Sequence, residues 1–389
     1  MKVLIISNLY APYARGGAER VAQLQAEGLR AVGHDVVVLS SGPRIRLGEG
    51  SVSGIRVLQY FPINIFWYKN ISQHVFLARL IWHFFDAINL QGARVLDRVL
   101  ENEKPDLIIT HNIKGLGMLM AYRLSDFREK WIHVIHDVQL AVPSGLMRFG
   151  KEKQAQNGII ARFWQSYCRM IFNSPRIVIS PSRWLLDFYK EKNYFKNSKK
   201  EVLPNPVVLE KEVEHQPGEK LHLLYIGQIE EHKGIVWLLN NLKGIEGDFE
   251  MKVVGDGSAM EKIKKIAQDD KRIKILGKKN RDEINNILQQ TDVTVVPSLV
   301  YENSPAVIYE SLAAGVSVLA ARIGGVAELI EEDKNGWTFE AGSTDKFNDR
   351  LRNLLTSPHL IAGMNADCRT TVSQYEVSRY IEDFLKIVE

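Results

Sequence analysis

Short runs of consecutive apolar residues recur along the chain, separated by stretches in which apolar residues return every three or four positions. The runs of the first half are KVLIIS (2–7), DVVVLS (35–40), DLIITH (106–111), WIHVIHD (131–137) and RIVIS (176–180). Those of the second half are LHLLYIG (221–227), FEMKVVG (249–255), RIKILG (272–277), DVTVVPS (292–298) and VSVLAA (316–321). Unbroken Val/Ile/Leu runs that alternate with helices are typical of parallel sheets covered on both faces. The pattern predicts an α/β protein with two doubly wound domains.

The proline-rich, charged stretch LPNPVVLEKEVEHQPGEK separates the two sets of strands. We therefore place a first domain at 1–203, a linker at 204–220 and a second domain at 221–374. The last residues, about 375–389, read as an amphipathic helix that packs back on the first domain. Two facing domains of this type leave a cleft between them, and ligands are expected at the carboxyl ends of the strands.

Charge is distributed unevenly over an otherwise ordinary composition of 45% hydrophobic and 25% charged residues. Residues 1–200 carry 28 Lys and Arg against 15 Asp and Glu, whereas residues 201–389 carry 22 against 31. The two cysteines, Cys168 and Cys368, lie far apart and read as free thiols of a reducing compartment. The first residues, MKVLIISNLY, read as a strand. All apolar runs are much shorter than the about 18–20 residues needed to span a bilayer. We expect a cytoplasmic protein.

Residues 61–90, FPINIFWYKNISQHVFLARLIWHFFDAINL, are unusually rich in aromatic side chains. We expect them to form the apolar face of a long helix that packs in the core. The alternative is that some of them stay exposed and contact a lipid surface, where the basic first half would also be attracted to anionic headgroups.

Two glutamates, Glu302 and Glu310, flank a helix start in YENSPAVIYESLAAG (301–315). Ser304 is a suitable N-cap and Pro305 a suitable first residue, so the predicted helix begins there and ends near Gly315. The amino end of such a helix attracts anions, and carboxylates accept hydrogen bonds from hydroxyl groups. A phosphate flanked by two polyols describes a nucleotide-sugar.

The same segment resembles the E-x7-E motif of retaining glycosyltransferases of family 4, which have the GT-B fold of two Rossmann-like domains. The resemblance extends over almost the whole chain. It includes the Gly-Gly loop in SNLYAPYARGGAERVAQL (7–24), the stretch YIGQIEEHKGIVWLL (225–239), VVGDGS (253–258) and IGGVAELIEEDKNGW (323–337).

The resemblance implies roles for individual residues of the second half. Glu302 would bind hydroxyls of the donor sugar, Glu310 would bind the ribose, and Lys233 would neutralise the departing diphosphate. The backbone would line the phosphate and sugar pocket at Asn303, Ser304, Pro305 and Ala306. Gln228 occupies a position where the family usually has arginine, so it would bind phosphate without adding a charge. Candidates for a compensating cation are Arg15, His232 and Arg322.

In the first half, the resemblance places Gly16 and Gly17 opposite the phosphate, because glycines let a ligand approach the backbone. It gives His136, at the end of a predicted strand, a contact with the donor sugar or the reacting centre. His111 also ends a strand and ranks behind His136. No Asp-x-Asp and no metal-ligand spacing occurs in the sequence, so we expect no metal and no other cofactor.

Together with these residues, the resemblance implies a retaining, metal-independent glycosyltransferase that moves a sugar from a nucleotide-diphosphate sugar of UDP or GDP type. The acceptor is expected to be a glycan or a lipid-linked molecule, with peripheral contact at an anionic membrane and no nucleic-acid partner. Two alternatives stay open. One is a nucleotide-sugar epimerase of GT-B type, which needs no acceptor, and the other is a non-catalytic nucleotide-sugar or glycan-binding protein.

Overall fold

A computed structural model describes residues 1–209, 218 and 220–389. Most of the predicted linker 204–220 lies outside the described residues. Contacts divide the chain into two units. The first unit holds residues 1–145, 157–206 and 377–389, and the second holds 146–156 and 207–376.

Each unit is built on one sheet. The strands of the first are β1 (Lys2–Ile6), β2 (Asp35–Ser41), β3 (Gly48–Val52), β4 (Ile55–Tyr60), β5 (Leu107–Thr110), β6 (Trp131–Val134), β7 (Ile177–Ser180) and β8 (Lys199–Val202). Those of the second are β9 (Leu221–Ile226), β10 (Phe249–Val254), β11 (Ile273–Gly277), β12 (Val293–Val296), β13 (Ser317–Arg322) and β14 (Gly336–Glu340).

The helices follow the strands in doubly wound order. They are α1 (Gly17–Ala31), α2 (Phe76–Ala87), α3 (Leu90–Glu103), α4 (Leu119–Leu124), α5 (Glu152–Asn157), α6 (Ile159–Phe172), α7 (Arg183–Glu191), α8 (Ile235–Leu242), α9 (Met260–Gln268), α10 (Arg281–Leu288), α11 (Ala306–Ala313), α12 (Thr344–Thr356), α13 (Met364–Ser373) and α14 (Val377–Val388).

The strand order is β3-β4-β2-β1-β5-β6-β7-β8 in the first sheet and β11-β10-β9-β12-β13-β14 in the second. Every neighbouring pair is parallel except β3–β4. All ten predicted strands are present, which confirms the prediction of two parallel α/β domains. In a fold of this kind, functional side chains gather at the carboxyl ends of the central strands.

The last helix, α14, packs against α1 of the first unit. Gly28 makes this approach possible, since a Cβ there would lie 2.6 Å from Ile381 Cγ1. Tyr380, Ile381 and Phe384 are buried in the same core as strands β1 and β2. The C-terminal residues are therefore part of the first core.

Residues 146–156, here called the crossing segment, belong to the second unit although the chain on both sides of them belongs to the first. Met147 is buried, and Arg148 forms an antiparallel bridge with Val300. The crossing segment thus pairs through its backbone with the loop that follows β12.

The aromatic stretch does not pack as expected. Helix α2 and its C-cap residue carry exposed apolar side chains at Leu77, Leu80, Ile81, Phe84, Phe85 and Ile88. Trp82 and Asp86 lie on its buried side. The expectation that these residues form a core helix is therefore wrong, because most of the apolar side chains of α2 are exposed to solvent. Among the helices in the described ranges, none has the length and apolar character to cross a bilayer.

Two buried histidines lie at the carboxyl ends of neighbouring strands. His133 in β6 shares a 2.8 Å hydrogen bond with Thr110 Oγ1, and its ring packs against Phe172. His111, directly after β5, is fully buried. Burial lowers the pKa of His133 to about 3 and lowers the pKa of His111 strongly in the same direction. Both rings are therefore neutral in the folded protein.

We predict that the first unit loses stability between pH 7.5 and 5.5. The unfolded chain protonates both histidines near pH 6.5, whereas the folded chain does not, so falling pH favours unfolding by about 1 kcal/mol for each histidine over this range. Urea denaturation followed by tryptophan fluorescence at both pH values measures the loss. His133→Phe should be less stable at pH 7.5 but should show a smaller pH dependence. An unchanged pH dependence in His133→Phe would contradict the assignment.

Candidate active site

Glu302 lies at the carboxyl end of β12, in the loop that leads to α11. Its Oε1 accepts hydrogen bonds from Lys233 Nζ at 2.6 Å and from Ser298 Oγ at 2.9 Å. The side chains of Lys233 and Glu302 are 28% and 18% exposed, so the ion pair is sheltered but reachable. The structure thus brings together two of the three predicted catalytic residues. The third, His136, belongs to the first unit.

Lys233 ends a single 3-10 turn after β9, and the glycine that follows it brings the two loops together. Gly234 has φ +79°, and a Cβ there would lie 1.8 Å from the carbonyl oxygen of Pro297. Leu299 N–H donates to the carbonyl oxygen of His232 at 3.1 Å. The Lys-Gly pair therefore has a physical basis, since any larger residue at 234 would push Lys233 away from Glu302.

Helix α11 begins one residue later than predicted. Ser304 does not cap it, because the Ser304 hydroxyl is hydrogen-bonded to Tyr309 Oη at 2.6 Å and Pro305 occupies the capping position. The prediction of Ser304 as N-cap is wrong, whereas the predicted end near Gly315 is confirmed. Ala306 is the first helical residue, and Glu310 lies half-buried one turn further on.

Backbone contacts hold the loop between β12 and α11 from a second side. Gly325 N–H donates to the Glu302 carbonyl oxygen at 2.9 Å. Gly324 has φ +62°, and a Cβ there would lie 2.1 Å from the same oxygen. Asn303, between Glu302 and the helix start, is buried. The backbone around Glu302 is therefore fixed before any ligand binds.

Gln228 is exposed in the loop after β9. Its carbonyl oxygen accepts a 2.8 Å hydrogen bond from Tyr225 Oη, which fixes the backbone there. Of the three candidates for a compensating cation, Arg322 is already engaged by neighbouring side chains. Arg322 donates to Thr338 Oγ1 at 2.7 and 3.0 Å and pairs with Glu332 at 3.4 Å.

His232 does not provide a compensating charge in this loop either. Burial lowers the pKa of His232, so its ring is uncharged at neutral pH. Arg15 belongs to the first unit, where its charge acts on Glu19.

In the first unit, Gly16 and Gly17 are exposed at the start of α1. Gly16 N–H donates to Glu19 Oε2 at 2.8 Å, which closes the first turn of the helix. Burial raises the pKa of Glu19. The predicted role of the two glycines in ligand approach stays a prediction.

His136 stacks on His111, with ring centroids 5.1 Å apart, and its Nε2 lies 2.8 Å from His111 Nδ1. His111 Nε2 in turn lies 2.9 Å from Gln25 Oε1, and Gln25 Nε2 lies 3.3 Å from Tyr380 Oη. With this amide orientation His111 donates to Gln25 from Nε2, so its Nδ1 accepts from His136 Nε2–H.

Burial lowers the pKa of His136 to about 4, so its ring is neutral with the proton on Nε2. The neighbouring Asp137 has a pKa raised to about 6 by burial and accepts from Gln139 N–H at 2.8 Å. Sequence reasoning ranked His111 behind His136, yet His111 is the group that orients His136. The buried position of His111 at a strand end was the available signal.

Among the residues that the structure describes, no group of three or more His, Cys, Asp or Glu side chains gathers as a metal site would.

Two family models together match nearly the whole chain. The model described as Glycosyltransferase Family 4 matches residues 15–211, and the one described as Glycosyl transferases group 1 matches residues 209–371. The chain is 24% identical to N-acetyl-alpha-D-glucosaminyl L-malate synthase of Bacillus anthracis over 393 residues, with 94% of each chain covered. It is 29% identical to lipopolysaccharide 1,2-N-acetylglucosaminetransferase of Salmonella typhimurium over 189 residues, 42% of this chain and 49% of that one.

Solved structures show the same fold. Sucrose-phosphate synthase from Thermosynechococcus elongatus has a TM-score of 0.77 at 15% identity, covering 99% of this chain and 98% of that one. The Anabaena protein Alr3699/HepE in complex with UDP and glucose has a TM-score of 0.71 at 16% identity, covering 100% and 99%. Since the first family model covers half of the chain and the fold is GT-B, the chain belongs to glycosyltransferase family 4 and is a glycosyltransferase.

Proposed function

We propose that this glycosyltransferase is retaining and independent of metal, and that it moves a sugar from a nucleotide-diphosphate sugar to a glycan or lipid-linked acceptor. The observation that carries the proposal is the 2.6 Å ion pair between Lys233 and Glu302 beside the start of α11. It combines a cation for the leaving group with a carboxylate for sugar hydroxyls at one strand end.

Lys233 is suited to bind the diphosphate. Its side chain is 28% exposed, so it can contact a ligand phosphate while staying near Glu302. The amino end of α11 presents backbone N–H groups and a partial positive charge that also favour an anion. Charge that develops on the leaving diphosphate is then stabilised by fixed groups, which is the largest contribution in many enzymes. Metal independence is proposed because Lys233 can supply the positive charge.

Glu302 and Glu310 accept hydrogen bonds from hydroxyl groups in this proposal, Glu302 from the donor sugar and Glu310 from the ribose. Ser298 and Lys233 hold the Glu302 carboxylate in one orientation. A carboxylate held in this way positions the sugar, and it is not proposed as a covalent nucleophile as in retaining glycosidases.

Retention follows if the acceptor attacks from the face that the diphosphate leaves. The bond between the anomeric carbon and the diphosphate oxygen breaks, and the acceptor oxygen bonds to that carbon on the same face. The acceptor proton passes to an oxygen of the departing phosphate. The backbone at Gly16 and Gly17 would approach that phosphate. His136, neutral and oriented by His111, would contact the donor sugar, and no protein base is needed.

The relatives favour UDP over GDP as the nucleotide. Alr3699/HepE was solved with UDP-glucose. UDP-Gal:alpha-D-GlcNAc-diphosphoundecaprenol alpha-1,3-galactosyltransferase of Escherichia coli is 32% identical over 124 residues, 31% of each chain. Its acceptor is a lipid-linked sugar, and we extend that acceptor class to this protein.

We also propose that the first unit binds an anionic membrane through the exposed apolar side chains of α2 and α6, here called the α2–α6 surface. Those of α2 recur at the spacing of a single helix face, and Phe84 is 62% exposed. Helix α6 adds Ile159, Ile160, Met170 and Phe163, which is 74% exposed. The Tyr167 hydroxyl donates to the Ala87 carbonyl oxygen, which joins α6 to the end of α2.

Charge around this surface favours an anionic lipid over another protein. Helix α6 contains Arg162 and Arg169 and no acidic residue. Residues 61–96 contain Lys69, Arg79 and Arg94, and their one acidic residue, Asp86, is 1% exposed. Apolar side chains beside basic ones are typical of helices that lie in a membrane interface, where each basic residue contributes about 1 kcal/mol. Such a position would bring the enzyme to lipid-linked acceptors.

We predict that Lys233→Ala lowers kcat/KM about 100-fold or more with a UDP-sugar donor, because the charge on the leaving diphosphate loses its cation. Lys243→Ala serves as the control, since Lys243 pairs with Asp269 on the surface of the same unit.

UDP should raise the melting temperature of the wild type, and Glu310→Ala should abolish this rise, because Glu310 binds the ribose in the proposal.

NMR of the product should show that the anomeric configuration of the donor sugar is retained. Addition of EDTA should not change the rate of transfer.

Each part of the proposal has a result that contradicts it. An inverted product rules out retention, and inhibition by EDTA rules out metal independence. Formation of an epimeric nucleotide-sugar without acceptor supports an epimerase, and nucleotide binding without turnover in any assay supports a binding protein.

We predict that the protein sediments with vesicles of phosphatidylglycerol and phosphatidylcholine, and that salt weakens this binding. The double variant Phe84→Gln/Phe163→Gln should bind at least about five-fold more weakly, because two apolar side chains no longer enter the interface. Val32→Gln is the matched control, as Val32 is exposed at the end of α1. Equal sedimentation of both variants, or none for the wild type, would contradict the proposal.

A further inference from the structure

Besides Lys233, the second unit offers little positive charge to a diphosphate leaving group. Lys233 is already paired with Glu302, which offsets much of its charge. Residues 207–376 contain 20 Lys and Arg against 27 Asp and Glu, so the rest of the second unit repels an anion overall. Gln228 is uncharged, the ring of His232 is neutral, and Arg322 is paired with Glu332.

The crossing segment brings basic residues to this unit. It contains Arg148, Lys151 and Lys153 against one acidic residue, Glu152. Glu152 accepts hydrogen bonds from Gly150 N–H at 2.7 Å and from Tyr301 Oη at 3.0 Å, so it is engaged in holding the segment in place. The segment therefore adds net positive charge to an acidic unit.

Backbone pairing places Arg148 beside the loop that carries Glu302. Phe149 N–H donates to the Leu299 carbonyl oxygen at 2.9 Å, and Tyr301 N–H donates to the Met147 carbonyl oxygen at 2.9 Å. Arg148 lies between these two hydrogen bonds, opposite Val300. Glu302 is the residue that follows Tyr301, so the pairing ends next to it.

The same pairing brings Arg148 close to the loop that carries Lys233. Leu299 N–H donates to the His232 carbonyl oxygen, so the backbone of residues 299–301 contacts both Arg148's segment and His232. Burial and the charge of Lys233 lower the pKa of His232, and the positive charge of Arg148 lowers it further. The pKa of Glu231 is lowered chiefly by Lys262, with a smaller contribution from Arg148.

The guanidinium group of Arg148 is available to a ligand. Arg148 is exposed. Within the described part of the chain, no carboxylate lies within ion-pair distance of it. A planar guanidinium group can bind two phosphate oxygens at once and keeps its charge at any physiological pH.

We propose that Arg148 is the second cation of the donor site, binding the diphosphate together with Lys233 and providing the charge that Gln228 lacks. The inference rests on the proposed function, because it assumes a nucleotide-diphosphate ligand beside Glu302. It assigns a ligand-binding role to a residue from the first half of the chain, on a segment that sequence analysis placed in the first domain.

The test measures binding of UDP and GDP, each compared with its nucleoside, by isothermal titration calorimetry on the full chain. Arg148→Ala should weaken binding of the preferred diphosphate about ten-fold or more and leave binding of the nucleoside unchanged. Arg148→Ala/Gln228→Arg should recover most of the lost affinity, since it returns one positive charge to the same loop region. Lys243→Ala is the control, because Lys243 pairs with Asp269 on the surface of the same unit, and it should bind like the wild type.

The outcomes separate the inference from the proposed function. If the wild type binds a diphosphate and Arg148→Ala binds it equally well, the inference is wrong and the proposed function stands. If the wild type binds neither UDP nor GDP, both are wrong. Unligated Arg148→Ala should melt at the wild-type temperature, as the side chain is exposed. A lower melting temperature together with weaker nucleoside binding would assign Arg148 a structural role and overturn the inference.

Discussion

The second unit depends on the approach of two loops at backbone-contact distance. Gly234 lies against the Pro297 carbonyl oxygen at a position that no Cβ could occupy, and this contact brings the end of the 3-10 turn to the end of β12. The ion pair between Lys233 and Glu302 forms only because of it. Gly324 and Gly325 then fix the Glu302 carbonyl from the other side. Glycines thus position the charged groups.

Each unit uses the carboxyl ends of its central strands in a different way. In the second unit, β9 and β12 present charged side chains that are partly exposed and strongly paired. In the first, β5 and β6 end in neutral histidines whose proton positions are set by a chain of buried hydrogen bonds from Gln25 through His111. The strand ends of the second unit therefore present charged groups, whereas those of the first present neutral hydrogen-bond donors and acceptors in fixed positions.

Much of the fold could be predicted because the ten recognised strands are unbroken apolar runs, a pattern that buried parallel strands require. Four of the described strands were missed: β3, β4, β8 and β14. The sequences of β3 and β8, GEGSV and KKEV, are short and polar, and these strands lie at the two edges of the first sheet. In IRVLQY of β4 and GWTFE of β14, polar residues interrupt the apolar ones. The wrong expectation for α2 has a simple cause. Periodicity identifies an apolar face, but it does not determine whether another element covers that face.

The site was predicted in part for the same kind of reason. The resemblance to glycosyltransferase family 4 indicated Lys233 and Glu302, and the structure shows them in contact. Serine often caps helices, but the hydroxyl of Ser304 is hydrogen-bonded to Tyr309 Oη and does not cap α11. Arg148 gave no signal, because its proximity to Val300 depends on a pairing between residues about 150 positions apart in sequence.

The position of α14 has a consequence for how the chain is made. Ribosomal synthesis delivers β1 and α1 before the second unit and α14 after it, yet Tyr380, Ile381 and Phe384 fill the core that β1 and α1 begin. Until those final residues emerge, the surface of α1 around Gly28 has no partner and its apolar neighbours remain in water. Although the first unit starts to form earliest, it is completed only after the second unit has been fully synthesised.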